Sequence, residues 1–385
     1  MCALRIVADE NMPLVKEFFE EFGEIKFLPG RSITADDVRD ADILLVRSIT
    51  RVDETLLKGS RVRFVGTATI GFDHIDVDYL KKNKIGFACA PGCNASSVVE
   101  YVISTLSVLA EQGQFNLHEK TVGIVGVGNV GELLQKRLTQ IGIHCVCNDP
   151  PRTAKGEEGF IGLDELMRMA DIVTIHTPLI KEGEYKTHHL FDAPRLNELK
   201  AHAILINTAR GSVVDNNVLR ELLEKRHDVR AVLDVWENEP DINLDLLHKT
   251  AIATPHIAGY SLDGKIRGTE MIYKAVCRHF GLPVRKKAGQ FAPDPALEKL
   301  NFSEDQSIDE ALNIAIRSCY DVRRDDASMR DAACRFNTAF GSAFDNLRKN
   351  YPVRREFSNL KIKIKHGKVE VIDVFKALGF PVKAD

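Results

Sequence analysis

Polar residues with chemical potential stand at the ends of successive apolar runs late in the chain. "INTARGSVVD" presents Arg210, "LDVWENEPD" presents Asp234 and Glu239, and "TPHIAGY" presents His256. An arginine can hold a carboxylate with its planar fork of donors. An imidazole can take a hydroxyl proton near neutral pH. A carboxylate paired with that imidazole fixes its tautomer and favours its charged form. Together these groups suit oxidation of the hydroxyl of a hydroxy acid, provided a hydride acceptor lies beside them. In the reverse direction His256 gives the proton and Arg210 polarises the carbonyl. Taken singly, each has a plainer role: a hydrogen-bonded structural histidine, a helix-capping arginine, a solvated loop acid. Their succession on strand ends, downstream of a dinucleotide fingerprint, favours catalysis.

That fingerprint lies in "TVGIVGVGNVGELLQKRLTQIGIHCVCNDPP", residues 121–151. Gly126, Gly128 and Gly131 give G-x-G-x-x-G between an expected strand and an expected helix. The first glycine permits the tight turn, the second lets backbone approach a pyrophosphate, and the third lets helix and sheet pack closely. Asp149 ends the next expected strand, about 20 residues on. A carboxylate there accepts from ribose hydroxyls and repels a 2′-phosphate, which favours NAD over NADP. Arg152 nearby pulls the other way, because arginines accommodate that phosphate. A glycine triplet alone is a weak sign, but strand, helix, second strand and terminal acid occur here in order.

The elements that must position these residues follow a regular rhythm. In the first ~90 residues "LRIVAD", "ADILLVRS", "RVRFVGTAT" and "KIGFACAPG" read as strands, and "MPLVKEFFEEFG" and "DVDYLKKN" as helices. "NASSVVEYVISTLSVLAEQG" is a long apolar helix ending at Gly113. Strands follow at "TVGIVGVG", "HCVCND", "DIVTIHTP", "AILINTAR", "RAVLDVW" and "TAIATPHIAG", with helices such as "DNNVLRELLEKR" between them. Near-continuous apolar strands alternating with helices imply doubly wound parallel sheets, whose ligands gather at strand carboxyl ends. "SLDGKIRGTEMIYKAVCRHFGLPV" is one more helix, able to return to the first domain. From about Lys286 the composition changes. "KKAGQFAPDPALEK" reads as a linker, and the final ~90 residues lack the βα rhythm. There "SIDEALNIAIRSCYDVRRDD" and "TAFGSAFDNLRKN" read as helical, and "LKIKIKHGKVEVID" as strand-like with a turn at His366-Gly367.

Composition narrows the classes. The chain has 385 residues, enough for two or three domains, and a formal net charge of -3, so no global basic field draws it to nucleic acid. No apolar run suffices to span a bilayer, and Arg5, Asp9 and Glu10 interrupt any apolar signal core. None of the eight cysteines forms a CxxC pair. Cys145 and Cys147 alternate on a strand as small hydrophobes, and no metal is expected. This usage fits a reducing cytoplasm.

"GTATIGFDHIDVD", "GIVGVGNVG", "NTARGSVVD", "LDVWENEP" and "PHIAGY" resemble the D-2-hydroxyacid dehydrogenase superfamily. "DENMP", "VRSIT", "APGCNA", "NDPPR" and "YDVRRDD" narrow the resemblance to a member acting on a small phosphorylated hydroxy acid. It extends over essentially the full length. The resemblance implies an α/β fold of two doubly wound, Rossmann-like parallel-sheet domains plus a C-terminal α+β dimerisation domain. Residues 1–93 and 257–285 become a discontinuous substrate domain, 94–256 the NAD domain, and 286–385 the dimerisation domain of a homodimer. Arg210, Glu239 and His256 match active-site positions. Gly126, Gly128, Asn129, Val130, Gly131, Asp149, Thr177, Thr208, Asp234 and Gly259 match cofactor contacts. Ser48, Thr69 and Tyr260 match the substrate side, and Arg47, beside Ser48 at a strand end, is read from the residues as a further candidate there. From the residues alone, Ser48 and Thr69 are equally read as strand-end caps.

Two further readings stand beside this one. Another member of the superfamily, such as a 3-phosphoglycerate dehydrogenase, would carry the same catalytic residues, although the C-terminal segment lacks a regulatory βαββαβ pattern. A non-catalytic NADH-sensing protein could also keep them. For the substrate phosphate, Arg47 is the best local cation. "LRKNYPVRRE" adds Arg348, Lys349, Arg354 and Arg355, which form either a solvated basic face or cations delivered across a dimer. Leu312, Ile316 and Cys319 form an apolar helical face, expected to meet either a second subunit or their own chain.

Overall fold

Five short strands build the first sheet: β1 (Leu4–Asp9), β2 (Gly23–Leu28), β3 (Ile43–Val46), β4 (Phe64–Thr67) and β5 (Gly86–Ala88). They are all parallel, in the order β2-β1-β3-β4-β5. Every residue of β3 and β4 is buried, which is why these strands read as unbroken apolar runs. On one face Phe18 and Phe19 pack with Ile272, Tyr273 and Val276 of the helix Leu262–Phe280. The other face buries Val38, Leu44, Val65 and Leu80. The late helix therefore returns to this sheet. β2 is absent from the sequence reading: it is a half-exposed edge strand whose polar alternation hides it.

The second sheet holds β6 (Thr121–Val125), β7 (His144–Asn148), β8 (Ile172–Ile175), β9 (Ile204–Asn207), β10 (Arg230–Leu233) and β11 (Ile252–Ala253). Its order is β11-β10-β9-β8-β6-β7, again all parallel. Strand order reverses between β6 and β8, the place where such sheets bind ligands beyond their carboxyl ends. The fold is thus α/β with two doubly wound parallel sheets and a further small one, as the sequence implies.

The computed structural model describes residues 3–303, 306–336, 339–365 and 369–384. Packing divides the chain into Met1–Asn94 with Tyr260–Asp294, and Ala95–Gly259 with Pro295–Asp385. The C-terminal segment carries three parallel strands, β12 (Lys299–Phe302), β13 (Lys361–Ile364) and β14 (Val382–Ala384). It does have a βα rhythm, stretched because, among the described residues, three α-helices and a 3₁₀ turn separate β12 from β13. Met329, Ala332, Phe340 and Phe344 share one core with Val173, Leu205 and Leu233 of the second sheet.

Two local expectations change. The helical run through "SCYDVRR" breaks at Tyr320–Asp321, where Asp321 accepts from the Arg323 N–H and starts a new helix. In "LKIKIKHGKVEVID" only Lys361–Ile364 is strand, and Val369–Leu378 is helix. β13 and β14 are parallel, so the chain between them must cross over, and Phe375 and Leu378 bury at helical spacing. His366 and Gly367 lie outside the described residues. Ile316 buries within its own chain, at 4% exposure, so it is not an open subunit contact, and Leu312 and Cys319 are partly covered.

Candidate active site

The turn after β6 is built for close approach. Gly126 has φ 87°, and a Cβ there would lie 2.8 Å from the His176 carbonyl carbon. A Cβ on Gly131 would meet the Gly126 oxygen at 2.1 Å, so this glycine lets the helix pack on the turn. At Gly128 nothing lies within 4 Å of such a Cβ. That space is open for a ligand rather than filled by protein. Gly128 is also the N-cap of the helix Asn129–Gln140, and no side chain caps it. The N–H groups of its first turn, including Asn129, Val130 and Gly131, can therefore face a pyrophosphate.

Asp149 follows β7. Its Oδ2 accepts from the Val127 N–H at 2.8 Å and its Oδ1 from the Arg152 N–H at 3.1 Å. Each oxygen keeps a further lone pair for a ribose hydroxyl. Arg152 is committed elsewhere: Nη1 donates to the Val127 carbonyl at 2.7 Å, and Nη2 meets Glu157 at 2.6 Å. Its guanidinium braces its own loop, which removes the argument for NADP. Beside the same turn, the buried Thr177 hydroxyl has no hydrogen-bond partner among the described residues. Such a group is ready to meet a cofactor. The Thr208 hydroxyl lies 3.2 Å from His176 Nδ1, and Thr174 lies 2.9 Å from its Nε2. Burial pushes the His176 imidazole down to about 3, so it stays neutral and structural. These residues fit NAD.

The loops after β9, β10 and β11 carry the catalytic candidates. His256 Nδ1 lies 2.7 Å from Glu239 Oε2. Glu239 Oε1 accepts from the Trp236 N–H at 2.8 Å, and Trp236 Nε1 donates to the Thr254 carbonyl at 3.0 Å. Burial raises the Glu239 pKa, but the His256 charge and hydrogen bond, the Trp236 N–H and Arg348 outweigh it. The net value lies below the usual one, so Glu239 is an ionised, acceptor-only group. Nδ1 of His256 therefore carries a hydrogen, and Nε2 is left as the acceptor that can take a proton.

His256 sits at φ 56°, left-handed backbone that costs a non-glycine residue energy. The buried Asp234 holds it there. The His256 N–H donates to the Asp234 carbonyl at 2.7 Å, and the Ile257 and Ala258 N–H groups donate to its carboxylate at 2.8 and 3.0 Å. The Thr254 hydroxyl adds a fourth bond at 2.6 Å. Asp234, expected as a cofactor contact, is seen here to fix the loop that bears the histidine. Arg210 leads into a short 3₁₀ turn, Gly211–Val213, and its carbonyl accepts from Asn207 Nδ2 at 3.0 Å. A Cβ on Gly211 would overlap the Trp236 carbonyl carbon at 1.9 Å. Only glycine lets these two loops touch, which brings Arg210 beside the Trp236–Glu239 loop.

Arg354 was missed in this role by sequence reasoning, which grouped it with basic residues able to reach a phosphate. It is only 5% exposed. Its Nη1 donates to the Ala258 carbonyl at 3.1 Å and its Nη2 to the Ser97 carbonyl at 2.6 Å, and it lies 3.6 Å above the Tyr320 ring. It braces the His256 loop and is not available to a ligand. A buried arginine carries no signal in composition that separates it from its exposed neighbour Lys349.

The remaining candidates lie in the first unit. Arg47 and Ser48 follow β3, Thr69 follows β4, and Tyr260 precedes the helix Leu262–Phe280. The Arg47 guanidinium lies 5.8 Å from the Tyr260 ring centroid, and Ser48 is exposed. The Thr69 hydroxyl bonds Thr67 at 2.8 Å and donates to the Gly71 carbonyl at 2.8 Å, so it shapes its own loop. Gly259 joins the two units in sequence.

A parallel-sheet domain with this fingerprint, followed by Arg, Glu and His on strand-end loops, defines an NAD-dependent dehydrogenase acting on a CH–OH group. Residues 107–258 match the family "D-isomer specific 2-hydroxyacid dehydrogenase, NAD binding domain", and residues 291–379 match a domain of unknown function. Erythronate-4-phosphate dehydrogenase of Chromohalobacter salexigens is 54% identical over 99% of both chains. The Marinobacter nauticus protein of that name is 52% identical over 98% of this chain and 99% of its own. D-lactate dehydrogenase of Aquifex aeolicus, solved with NAD and lactic acid, is 25% identical with a TM-score of 0.59, covering 72% of this chain and 96% of its own. An NAD-bound 3-phosphoglycerate dehydrogenase of Entamoeba histolytica shares the fold at 24% identity and a TM-score of 0.63, over 74% of this chain and 99% of its own. The chain belongs to the erythronate-4-phosphate dehydrogenases of the D-2-hydroxyacid dehydrogenase superfamily.

Proposed function

We propose that the protein oxidises 4-phospho-D-erythronate at C2, yielding (R)-3-hydroxy-2-oxo-4-phosphobutanoate, in the synthesis of pyridoxal 5′-phosphate (vitamin B6) in the cytoplasm. The observation that carries this reading is the His256–Glu239 pair, 2.7 Å apart, on the sheet that bears the dinucleotide turn. Bound NAD supplies the hydride acceptor. Arg210 holds the substrate carboxylate with its fork of donors. His256 Nε2 takes the C2 hydroxyl proton, and Glu239 stabilises the imidazolium that forms. Arg47 reads the phosphate, with Ser48, Thr69 and Tyr260 beside it. Asn129, Val130, Asp149, Thr177, Thr208, Asp234 and Gly259 serve the cofactor. Relatives at 54% and 52% identity carry the erythronate-4-phosphate name, whereas the likeness to a 3-phosphoglycerate enzyme is one of fold. A panel of 4-phospho-D-erythronate, 3-phosphoglycerate and D-erythronate, read by NADH absorbance, tests the reading. Preferred turnover of 3-phosphoglycerate moves the protein to the other branch. No turnover of any acid favours an NADH-sensing role.

The same reading makes residues 286–385 the contact of a homodimer. Ile308, Ile314 and Phe336 stand 38%, 45% and 51% exposed on this segment, apolar surface that a second copy would cover. Sedimentation of the full chain at micromolar concentration should give twice the chain mass. A monomer at that concentration contradicts the assembly.

A further inference from the structure

Tyr260 is flanked by two cations. The Arg47 guanidinium lies 5.8 Å from its ring centroid and the Lys265 ammonium 4.6 Å. Arg47 comes from the end of β3, and Lys265 from the first turn of the helix Leu262–Phe280. Both side chains are half-buried. Among the described residues, neither makes a hydrogen bond or an ion pair. Two like charges on one aromatic ring, without a carboxylate between them, repel each other at a cost that a bound anion removes. Burial, and then the Arg47 charge, push the Lys265 ammonium down to about 8. That is the behaviour of a cation held without its counter-ion.

We infer that Lys265 is the second cation of a phosphate-binding pair with Arg47, and so a residue that sets specificity for a phosphorylated acid. The inference rests on the function proposed above and deepens it. A phosphate monoester carries close to two negative charges at neutral pH and offers three acceptor oxygens. Arg47 can take two of them with its fork, and Lys265 supplies a point charge to the third. The exposed Ser48 hydroxyl, next to Arg47 at the same strand end, is a neutral donor for the same group. The Tyr260 ring, within cation–π reach of both, attracts each of the two charges. Nothing in the one-dimensional pattern marks Lys265, because it reads as an ordinary polar position early in an amphipathic helix.

The test compares wild type, Lys265→Met and Lys265→Arg on 4-phospho-D-erythronate and on D-erythronate. The methionine variant should raise KM for the phosphorylated acid roughly 10- to 100-fold, the scale of one charge-assisted bond. Its loss on D-erythronate should be far smaller, and the arginine variant should recover most of the difference. Equal losses on both acids, or an unchanged KM for the phosphorylated one, overturn the assignment. A wild type that fails to oxidise 4-phospho-D-erythronate refutes the proposed function instead. In that case calorimetric titration with inorganic phosphate decides the site: binding weakened by Lys265→Met supports it, and equal binding to both proteins overturns it.

Discussion

Nδ1 of His256 lies 2.7 Å from Oε2 of Glu239, while the other oxygen of Glu239 is held by the Trp236 N–H at 2.8 Å. The carboxylate is thus anchored on one side and aims the imidazole with the other. His256→Asn should lower kcat by roughly 10²–10⁴-fold with little change in NAD affinity, because binding does not use the lost proton acceptor. Glu239→Gln should also lower kcat, because an amide stabilises the imidazolium formed in the reaction less than a carboxylate does. Stopped-flow NADH formation checks both. A fully active His256→Asn enzyme removes His256 from the chemistry.

Asp149 and Arg152 sit three residues apart with opposite leanings toward a 2′-phosphate, and the structure separates them. Asp149 keeps lone pairs for a ribose, whereas Arg152 is tied to Glu157 and to the Val127 carbonyl. Wild type should prefer NAD, and Asp149→Ala should narrow the gap to NADP by raising KM for NAD. Kinetics with each nucleotide measure this. A wild-type preference for NADP would sink the assignment.

Much of the candidate site is legible in the sequence because its residues terminate strands of near-continuous apolar character. β6, β8, β9 and β10 announce themselves, and Gly126, Asp149, Arg210 and His256 fall just after apolar runs. Residues that act from other elements are not legible. Arg354 lies 96 positions from the carbonyl of Ala258 that it braces, and no local period ties the two. Lys265 meets Arg47 only because the chain returns to the first sheet. β2 and the helix Val369–Leu378 were missed for a different reason. A half-exposed edge strand alternates polar and apolar residues instead of forming an apolar run, and five residues such as "VEVID" satisfy either period until tertiary packing decides.

Buried charge makes stability depend on pH. Glu100 is fully buried beside Glu356, Arg354 and Arg137, and burial, then the Glu356 charge, raises its carboxyl from 4.5 to about 8. The folded state therefore binds a proton that the unfolded state has released between those values. Stability falls as pH rises through that window and levels off above it, by at most about 1.4 kcal/mol per pH unit for one group. Glu100→Gln mimics the protonated form and can still accept the Phe357 N–H that Oε1 receives at 3.0 Å. Urea midpoints at pH 6 and pH 8 should differ less in this variant than in wild type. Identical differences would show that Glu100 titrates normally in the fold.

In the proposed reaction, hydride leaves C2 of a phosphorylated hydroxy acid while His256 takes the hydroxyl proton. 4-Phospho-D-erythronate carrying deuterium at C2 tests it most directly. Incubated with NAD and the full-length protein, it should deliver the label to the nicotinamide ring, seen by mass spectrometry as singly deuterated NADH. His256→Asn should slow the appearance of that product without diverting the label. NADH free of deuterium, or label lost to water, contradicts direct transfer from C2 and with it the role proposed for His256.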